Sequence, residues 1–105
     1  MKKYEVKITD KALRDLEDIY DYIGNNLSEP ITADKQCNRI IDEILKLETM
    51  PERYQLFISE PEHSRGIRKM TVDNYLVCYV ISENIVVITN IFYGAADIES
   101  KLRSE

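Results

Sequence analysis

A chain of 105 residues with 44% hydrophobic and 31% charged residues has the balance of a globular protein, which excludes the disordered and collagen-like classes and predicts one domain over residues 1–105. The formal net charge of −5 argues against general adhesion to nucleic acid, because such binding depends on Lys and Arg neutralising phosphates. No apolar run approaches the roughly 18 residues that cross a bilayer and no signal peptide is visible, so we expect a cytoplasmic protein without membrane contact.

The first two predicted elements are a strand and an amphipathic helix. Apolar and charged residues alternate over residues 4–8, which is typical of a half-buried strand. Thr9 or Asp10 can then cap a helix over about residues 11–26. Its opposite face is expected to carry charged side chains, Asp15 among them. Its apolar face is formed by residues at spacings of three and four, namely Leu13, Leu16, Ile19, Tyr20, Ile23 and Leu27.

A second helix is predicted after a break that contains Gly24 and Pro30. Helical spacing of apolar residues continues to Leu47, and the helix ends at Met50 because the residue before a proline disfavours helical geometry. The short link between the two helices predicts an antiparallel helical hairpin.

The remaining sequence predicts a loop followed by three strands. Residues 51–66 show no period and contain two prolines, so we interpret them as a loop that leads from the helices to the sheet. A short C-terminal helix is expected from about Asp97. Strands are predicted over residues 68–72, 75–81 and 85–93, with turns at residues 73–74 and 82–84.

These elements predict an α+β fold of order β-α-α-β-β-β. The N-terminal helical hairpin should pack on one face of a small, mainly antiparallel twisted sheet, and the first strand should join the edge of the three-strand meander.

The sequence offers few ligands for a metal. Cys37 and Cys78 lie far apart and form no C-x-x-C pair, and His63 is the only histidine. We therefore expect two free thiols packed as small hydrophobic side chains, no metal site and no cofactor.

Four segments together resemble a known family in their order and spacing. They are Leu16–Ile23 in the first helix, Ile44–Pro51 at the end of the second, Gly66–Val80 in the meander, and Ile91–Glu99 in the closing strand and tail. This arrangement resembles the RelE/ParE superfamily of bacterial type II toxin–antitoxin (plasmid stabilisation) systems. The resemblance implies a toxin that arrests growth, a cognate antitoxin as its partner, and contact with operator DNA only through that antitoxin.

The resemblance leaves the target of the toxin open. One branch of the superfamily, which is ParE-like, poisons DNA gyrase without catalytic activity of its own, and the other, which is RelE-like, cleaves messenger RNA on the ribosome. The helical hairpin, the negative charge and the tail favour the ParE-like branch. A non-toxic module that only binds an antitoxin or another partner is the third alternative.

One segment reverses the negative charge of the chain and is the candidate phosphate site. Between residues 63 and 72 it contains His63 and three cationic residues but no acidic one. RNA cleavage by attack of a 2′-hydroxyl needs a base, a cation and an acid, and Glu60, Glu62 or His63 could supply the base or the acid. A solvated basic loop and a docking site for acidic antitoxin side chains are the alternatives. The candidate catalytic residues are Arg68, Arg65, Lys69 and, in the closing strand, Tyr93.

Partner contacts are expected in the grooves that the helical hairpin and the sheet form. Leu16, Tyr20 and Ile23 on the first helix are candidates for these contacts. Tyr75 and Tyr79 lie four residues apart on one strand and so share a face, where they could contact a ligand or pack in the core.

The tail departs from the family pattern at two positions. Ala96, and often also Ala95, stands where the family commonly has arginine. We therefore expect weak toxicity from the chain as written, from either a natural variant or an engineered detoxified form.

Overall fold

A computed structural model describes residues 2–94 and 102–103 of the chain. A π-helical turn and two 3₁₀ turns, at Lys46–Glu48 and Pro51–Arg53, accompany the main elements. The predicted order β-α-α-β-β-β is confirmed. The elements are β1 (Glu5–Ile8), α1 (Asp10–Asp21), the π-helical turn (Tyr22–Asn26), α2 (Pro30–Leu45), β2 (Arg68–Val72), β3 (Tyr75–Ser82) and β4 (Ile85–Tyr93).

The four strands form one mixed sheet in the order β1-β4-β3-β2. The meander β2-β3-β4 is antiparallel, and β1 joins its β4 edge in parallel orientation. Asp73 and Glu83 have φ values of +56°, which the two-residue turns of tight hairpins require. The predicted meander, its turns and the edge position of the first strand are therefore confirmed.

Thr9 fixes the start of α1 on the sheet. Its side-chain oxygen accepts a hydrogen bond from the backbone N–H of Ala12 at 3.1 Å, so Thr9 rather than Asp10 is the cap. The same hydroxyl donates to the carbonyl oxygen of Ile88 in β4 at 2.9 Å. One side chain thus stabilises the helix end and attaches it to the sheet.

The main core lies between the helical hairpin and one face of the sheet. The apolar face predicted for α1 is only partly correct, because Ala12 packs on the sheet while Leu13, Tyr20 and Leu27 remain 42%, 41% and 52% exposed. Both cysteines are free and buried, as predicted. The core is formed chiefly by Leu16, Ile40, Ile44 and Leu47 from the helical region and Met70, Val77, Tyr79, Val86 and Ile88 from the sheet.

The segment predicted as a connecting loop also covers the second face of the sheet. Phe57 from this segment and Ile67 directly after it pack against Leu76, Cys78 and Phe92, which point away from the helices. As a result β3 is buried on both faces, and residues 75–79 form a continuous buried run.

An acidic residue of α1 bonds to β4 close to a bulge in the sheet. Cys78 pairs with Asn90 but Tyr79 pairs with Ile88, so the register shifts by one residue between them. The carboxylate of Asp15 accepts a hydrogen bond from the backbone N–H of Ile91 at 2.9 Å. Asp15 therefore faces the sheet, which corrects the prediction that it lies on the outer face of the helix.

Candidate functional site

The basic segment, as we call residues 63–72, does not form a single cationic surface. Arg68 pairs with Tyr79, whose ring lies in the core under the helices, whereas Lys69 pairs with Cys78 on the opposite side of the sheet. Because neighbouring residues of a strand point to opposite faces, their charges are directed apart. Arg65 is exposed in the turn before β2. The three candidate cations therefore occupy three different surroundings.

The guanidinium of Arg68 is bonded to the backbone of the preceding segment. Its Nη1 donates hydrogen bonds to the carbonyl oxygens of Tyr54 at 2.7 Å and Glu52 at 3.1 Å. These contacts attach the segment that follows α2 to the start of β2. Arg68 thus has a structural role that the sequence did not predict.

Two of the candidate acid–base groups stabilise the turn between residues 59 and 66. The carboxylate of Glu60 accepts hydrogen bonds from the backbone N–H of Ser64 at 2.8 Å and from its hydroxyl at 2.7 Å. These bonds to Ser64 lower the pKa of Glu60. Nδ1 of His63 lies 2.8 Å from the carbonyl oxygen of Phe57. Both side chains therefore hold the turn that carries them.

Glu62 is buried and paired with a residue near the C-terminus. Its side chain is 1% exposed, and its two carboxylate oxygens accept hydrogen bonds from Nη2 and Nε of Arg103, each at 3.0 Å. Nη2 of Arg103 also donates to the carbonyl oxygen of Glu60 at 2.6 Å. The hydrogen bonds from Arg103 lower the pKa of Glu62, because they stabilise its charged form. Glu62 thus attaches Arg103 to the turn.

Two residues expected at a partner surface lie in the core instead. Leu16 is 8% exposed and packs among the buried side chains beneath α1. Tyr79 is fully buried, and its hydroxyl donates a hydrogen bond to the carbonyl oxygen of Pro51 at 2.6 Å. The structure thus places both side chains in the interior, which for Tyr79 is the core packing given above as one of two alternatives.

Tyr20 and Ile23 differ in what they present to solvent. Tyr20 is 41% exposed beside the groove between α1 and α2, which Cys37 and Ile41 also line. A hydrogen bond with Asp34 raises the pKa of Tyr20. Ile23 is 7% exposed but forms part of the wall of a larger cavity.

That larger cavity opens between the end of α1 and the turn that joins β2 to β3. Its volume is about 600 Å³. Tyr22 and Leu27 are 55% and 52% exposed at its entrance, and Tyr93, the candidate catalytic residue of the closing strand, is 68% exposed. We call this cavity the tyrosine pocket; it is lined by Asp18, Ile19, Tyr22, Ile23, Leu27, Glu29, Thr32, Asn74, Tyr75 and Tyr93.

Three phenols converge in the tyrosine pocket. The rings of Tyr75 and Tyr93 meet edge to face, with their centroids 5.4 Å apart. Burial raises the pKa of Tyr75, and the nearby phenols of Tyr93 and Tyr22 add to this effect. The sequence did not single out Tyr22, because its helical position alone does not indicate which strand ends it meets.

Ala95 and Ala96, and most of the C-terminal helix predicted from Asp97, lie outside the described residues. Within residues 2–94 and 102–103, His, Cys, Asp and Glu side chains form no group of three that could hold a metal ion. In the same part of the chain no helix has the length and apolar character needed to span a membrane.

The fold and these surfaces define a class of protein: a small α+β domain of the RelE/ParE type, with a helical hairpin packed on a four-stranded mixed sheet. The chain belongs to the ParE toxin family, because residues 6–98 match the family described as ParE toxin of type II toxin-antitoxin system, parDE. It is therefore the toxin component of such a system, as the sequence predicted. None of the curated proteins matches it significantly.

Among the solved structures that match this chain, two illustrate the similarity in fold. One belongs to the chromosomal ParDE toxin–antitoxin system from P. aeruginosa, with a TM-score of 0.75 and 23% identity over 90% of this chain and 100% of the other. The other belongs to the RelBE2 toxin–antitoxin complex from Mycobacterium tuberculosis, with a TM-score of 0.63 and 21% identity over 89% of this chain and 93% of the other. At these identities they show a shared fold.

Proposed function

We propose that this toxin arrests bacterial growth in the cytoplasm by poisoning DNA gyrase, and that a cognate antitoxin neutralises it by direct binding. Membership of the ParE toxin family supports this proposal. The two similar structures described above come from a ParDE system and from a RelBE2 complex, which supports an antitoxin as the partner of this chain too.

The proposal of gyrase rather than messenger RNA rests on how the candidate acid–base groups are bonded. Glu60 is bonded to Ser64, Glu62 to Arg103, and Nδ1 of His63 lies within hydrogen-bond distance of Phe57. A general acid needs a pKa close to the working pH, whereas the pKa values of Glu60 and Glu62 are lowered. These two carboxylates are therefore poor proton donors and weak bases, which supports action through surface contact.

Arg68 adds to the same conclusion. A phosphorane needs a cation that is free to contact it, but the Arg68 guanidinium already holds two backbone carbonyl groups. Both hydrogen bonds come from Nη1, which holds the segment after α2 on β2 and fixes the position of the side chain. A ParE-like toxin that binds its target as a protein surface is consistent with this structural role of Arg68.

The test combines growth with two biochemical readouts. The chain, and a variant with Ala95→Arg and Ala96→Arg, are induced in cells that lack the antitoxin. The purified proteins are then assayed for inhibition of gyrase supercoiling and for messenger RNA cleavage on translating ribosomes. We expect gyrase inhibition, growth arrest that co-expressed antitoxin reverses, and intact messenger RNA. Cleavage between codons with unaffected gyrase would establish the RelE-like alternative instead, and absence of arrest in both proteins would favour a non-toxic module.

A further inference from the structure

The tyrosine pocket combines aromatic rings with two carboxylates. Tyr22, Tyr75 and Tyr93 supply three phenol rings around a cavity of about 600 Å³. This volume lies within the range of about 300 to 1,000 Å³ that is typical of sites for bound groups. Tyr22 and Tyr93 are more than half exposed, so their rings are accessible to a partner.

Two carboxylates stand at the rim of the pocket. Asp18 projects from the last turns of α1, and Glu29 precedes α2 without capping it through its side chain. Within residues 2–94 and 102–103, neither forms an ion pair, and none of the described lining residues is cationic. Among the described residues, the pocket therefore presents two negative charges without a counter-ion in its lining.

We infer that the tyrosine pocket binds an arginine side chain of the antitoxin, which rests on the antitoxin partnership proposed above. The faces of tyrosine rings attract cations, and carboxylates form charge-assisted hydrogen bonds with them. Arginine suits this set better than lysine, because its planar guanidinium can stack on a ring and donate to a carboxylate at the same time.

The walls of the pocket determine what accompanies the arginine. Ile19, Ile23 and Leu27 line it together with the phenol rings, so the aliphatic stem of the arginine has apolar surface to cover. Leu27 is half exposed and offers contact to one apolar neighbour of the arginine. The occupant is thus an antitoxin segment that carries an arginine beside an apolar residue.

The charge of the chain favours the same occupant. A formal net charge of −5 disfavours an acidic segment at a rim that is itself acidic. The basic residues of the chain do not offset this locally, because the segment from His63 to Lys69 contributes nothing to the lining of the pocket. A cationic antitoxin side chain is complementary to the site.

The test measures the Kd between the full-length toxin and its full-length antitoxin by calorimetry. The pocket variant carries Asp18→Asn and Glu29→Gln, which remove both charges with little change in shape. The control variant carries Asp42→Asn and Glu83→Gln, the same charge change at exposed positions. Asp42 lies near the opposite end of α2 from Glu29, and Glu83 follows the end of β3 opposite Tyr75.

We expect the pocket variant to raise Kd at least about tenfold, as the loss of a charge-assisted hydrogen bond does, and the control variant to raise it less than about twofold. Tyr93→Leu, which keeps an apolar group but removes the ring, should also raise Kd several-fold. Each antitoxin arginine is also substituted by alanine and measured against both the unsubstituted toxin and the pocket variant. For one arginine alone, the losses of binding free energy from the two substitutions should not add up.

The possible failures are distinguishable. If the antitoxin binds tightly and the pocket variant raises Kd no more than the control variant does, the pocket assignment is overturned. The antitoxin partnership would then remain in place. If the losses of binding free energy add up with the pocket variant for every antitoxin arginine, the pocket assignment is overturned as well. A toxin that binds no antitoxin at all would overturn the partnership and the proposed occupant together.

Discussion

The hydroxyl of Tyr79 allows a direct measurement of how the segment after α2 is held on the core. It is fully buried and donates a hydrogen bond of 2.6 Å to the carbonyl oxygen of Pro51. Tyr79→Phe deletes this single oxygen and keeps the ring that packs among the core side chains. The substitution therefore isolates the hydrogen bond from the packing.

The expected loss follows from the acceptor that remains behind. Pro51 is buried, so its carbonyl group would lose its donor where water does not readily replace it. Leaving a buried acceptor unsatisfied costs about 1 to 3 kcal/mol in the free energy of unfolding. For a domain of this size, such a loss lowers Tm by roughly 4 °C or more.

Chemical denaturation followed by circular dichroism provides the measurement, with thermal unfolding as a second readout. Tyr22→Phe is the matched control, because it deletes the same hydroxyl from a side chain that is 55% exposed. We expect the control to lie within about 0.5 kcal/mol of the unsubstituted chain. If Tyr79→Phe proved as stable as Tyr22→Phe, the hydrogen bond to Pro51 would contribute nothing and packing alone would hold the segment.

Tyr79 also predicts a loss of stability at alkaline pH. Burial raises the pKa of Tyr79 to about 12, from an ordinary value of 10.0. Because the folded chain holds this proton more tightly, the contribution to stability is complete below pH 10 and is lost as the pH rises to about 12. The free energy of unfolding, measured between pH 10 and about 12, should therefore change less with pH in Tyr79→Phe than in the unsubstituted chain.

Three further predictions concern the basic segment, the buried Glu62 and the tail. Arg68→Ala should lower the free energy of unfolding by about 1 to 2 kcal/mol, because two backbone carbonyl groups lose their donor, while Arg65→Ala should change it by less than about 0.5 kcal/mol. Because the pKa of Glu62 is lowered, its contribution to stability is present above the ordinary value of 4.5 and is lost as the pH falls. The free energy of unfolding should therefore fall less steeply with acid in Glu62→Gln than in the unsubstituted chain. An unchanged dependence on acid pH would contradict the ion pair with Arg103. Ala96→Arg, alone and together with Ala95→Arg, should strengthen growth arrest in colony counts without altering the circular dichroism spectrum, and equal arrest by the alanine form would shift attention to Arg65 and Lys69.

Much of the fold could be predicted because its signals are local. Alternation over residues 4–8 and helical spacing in the two helices depend only on neighbouring residues. The proline at position 51 and the turn residue Asp73 mark element ends in the same local way. The order of these elements was predicted in the same way and is confirmed by the structure, and the match over residues 6–98 confirmed the family resemblance.

The sequence by itself determined the strands, the helical hairpin and the candidate residues, since hydrophobic period and turn chemistry act over a few residues at a time. Only the tertiary structure decided that Glu62 is buried against Arg103, 41 residues later in the chain. It also decided that the end of α1 meets the ends of β3 and β4, where Tyr22, Tyr75 and Tyr93 enclose the tyrosine pocket. Such contacts depend on how elements that are distant in sequence pack together, and the spacing of residues along the chain does not determine that packing.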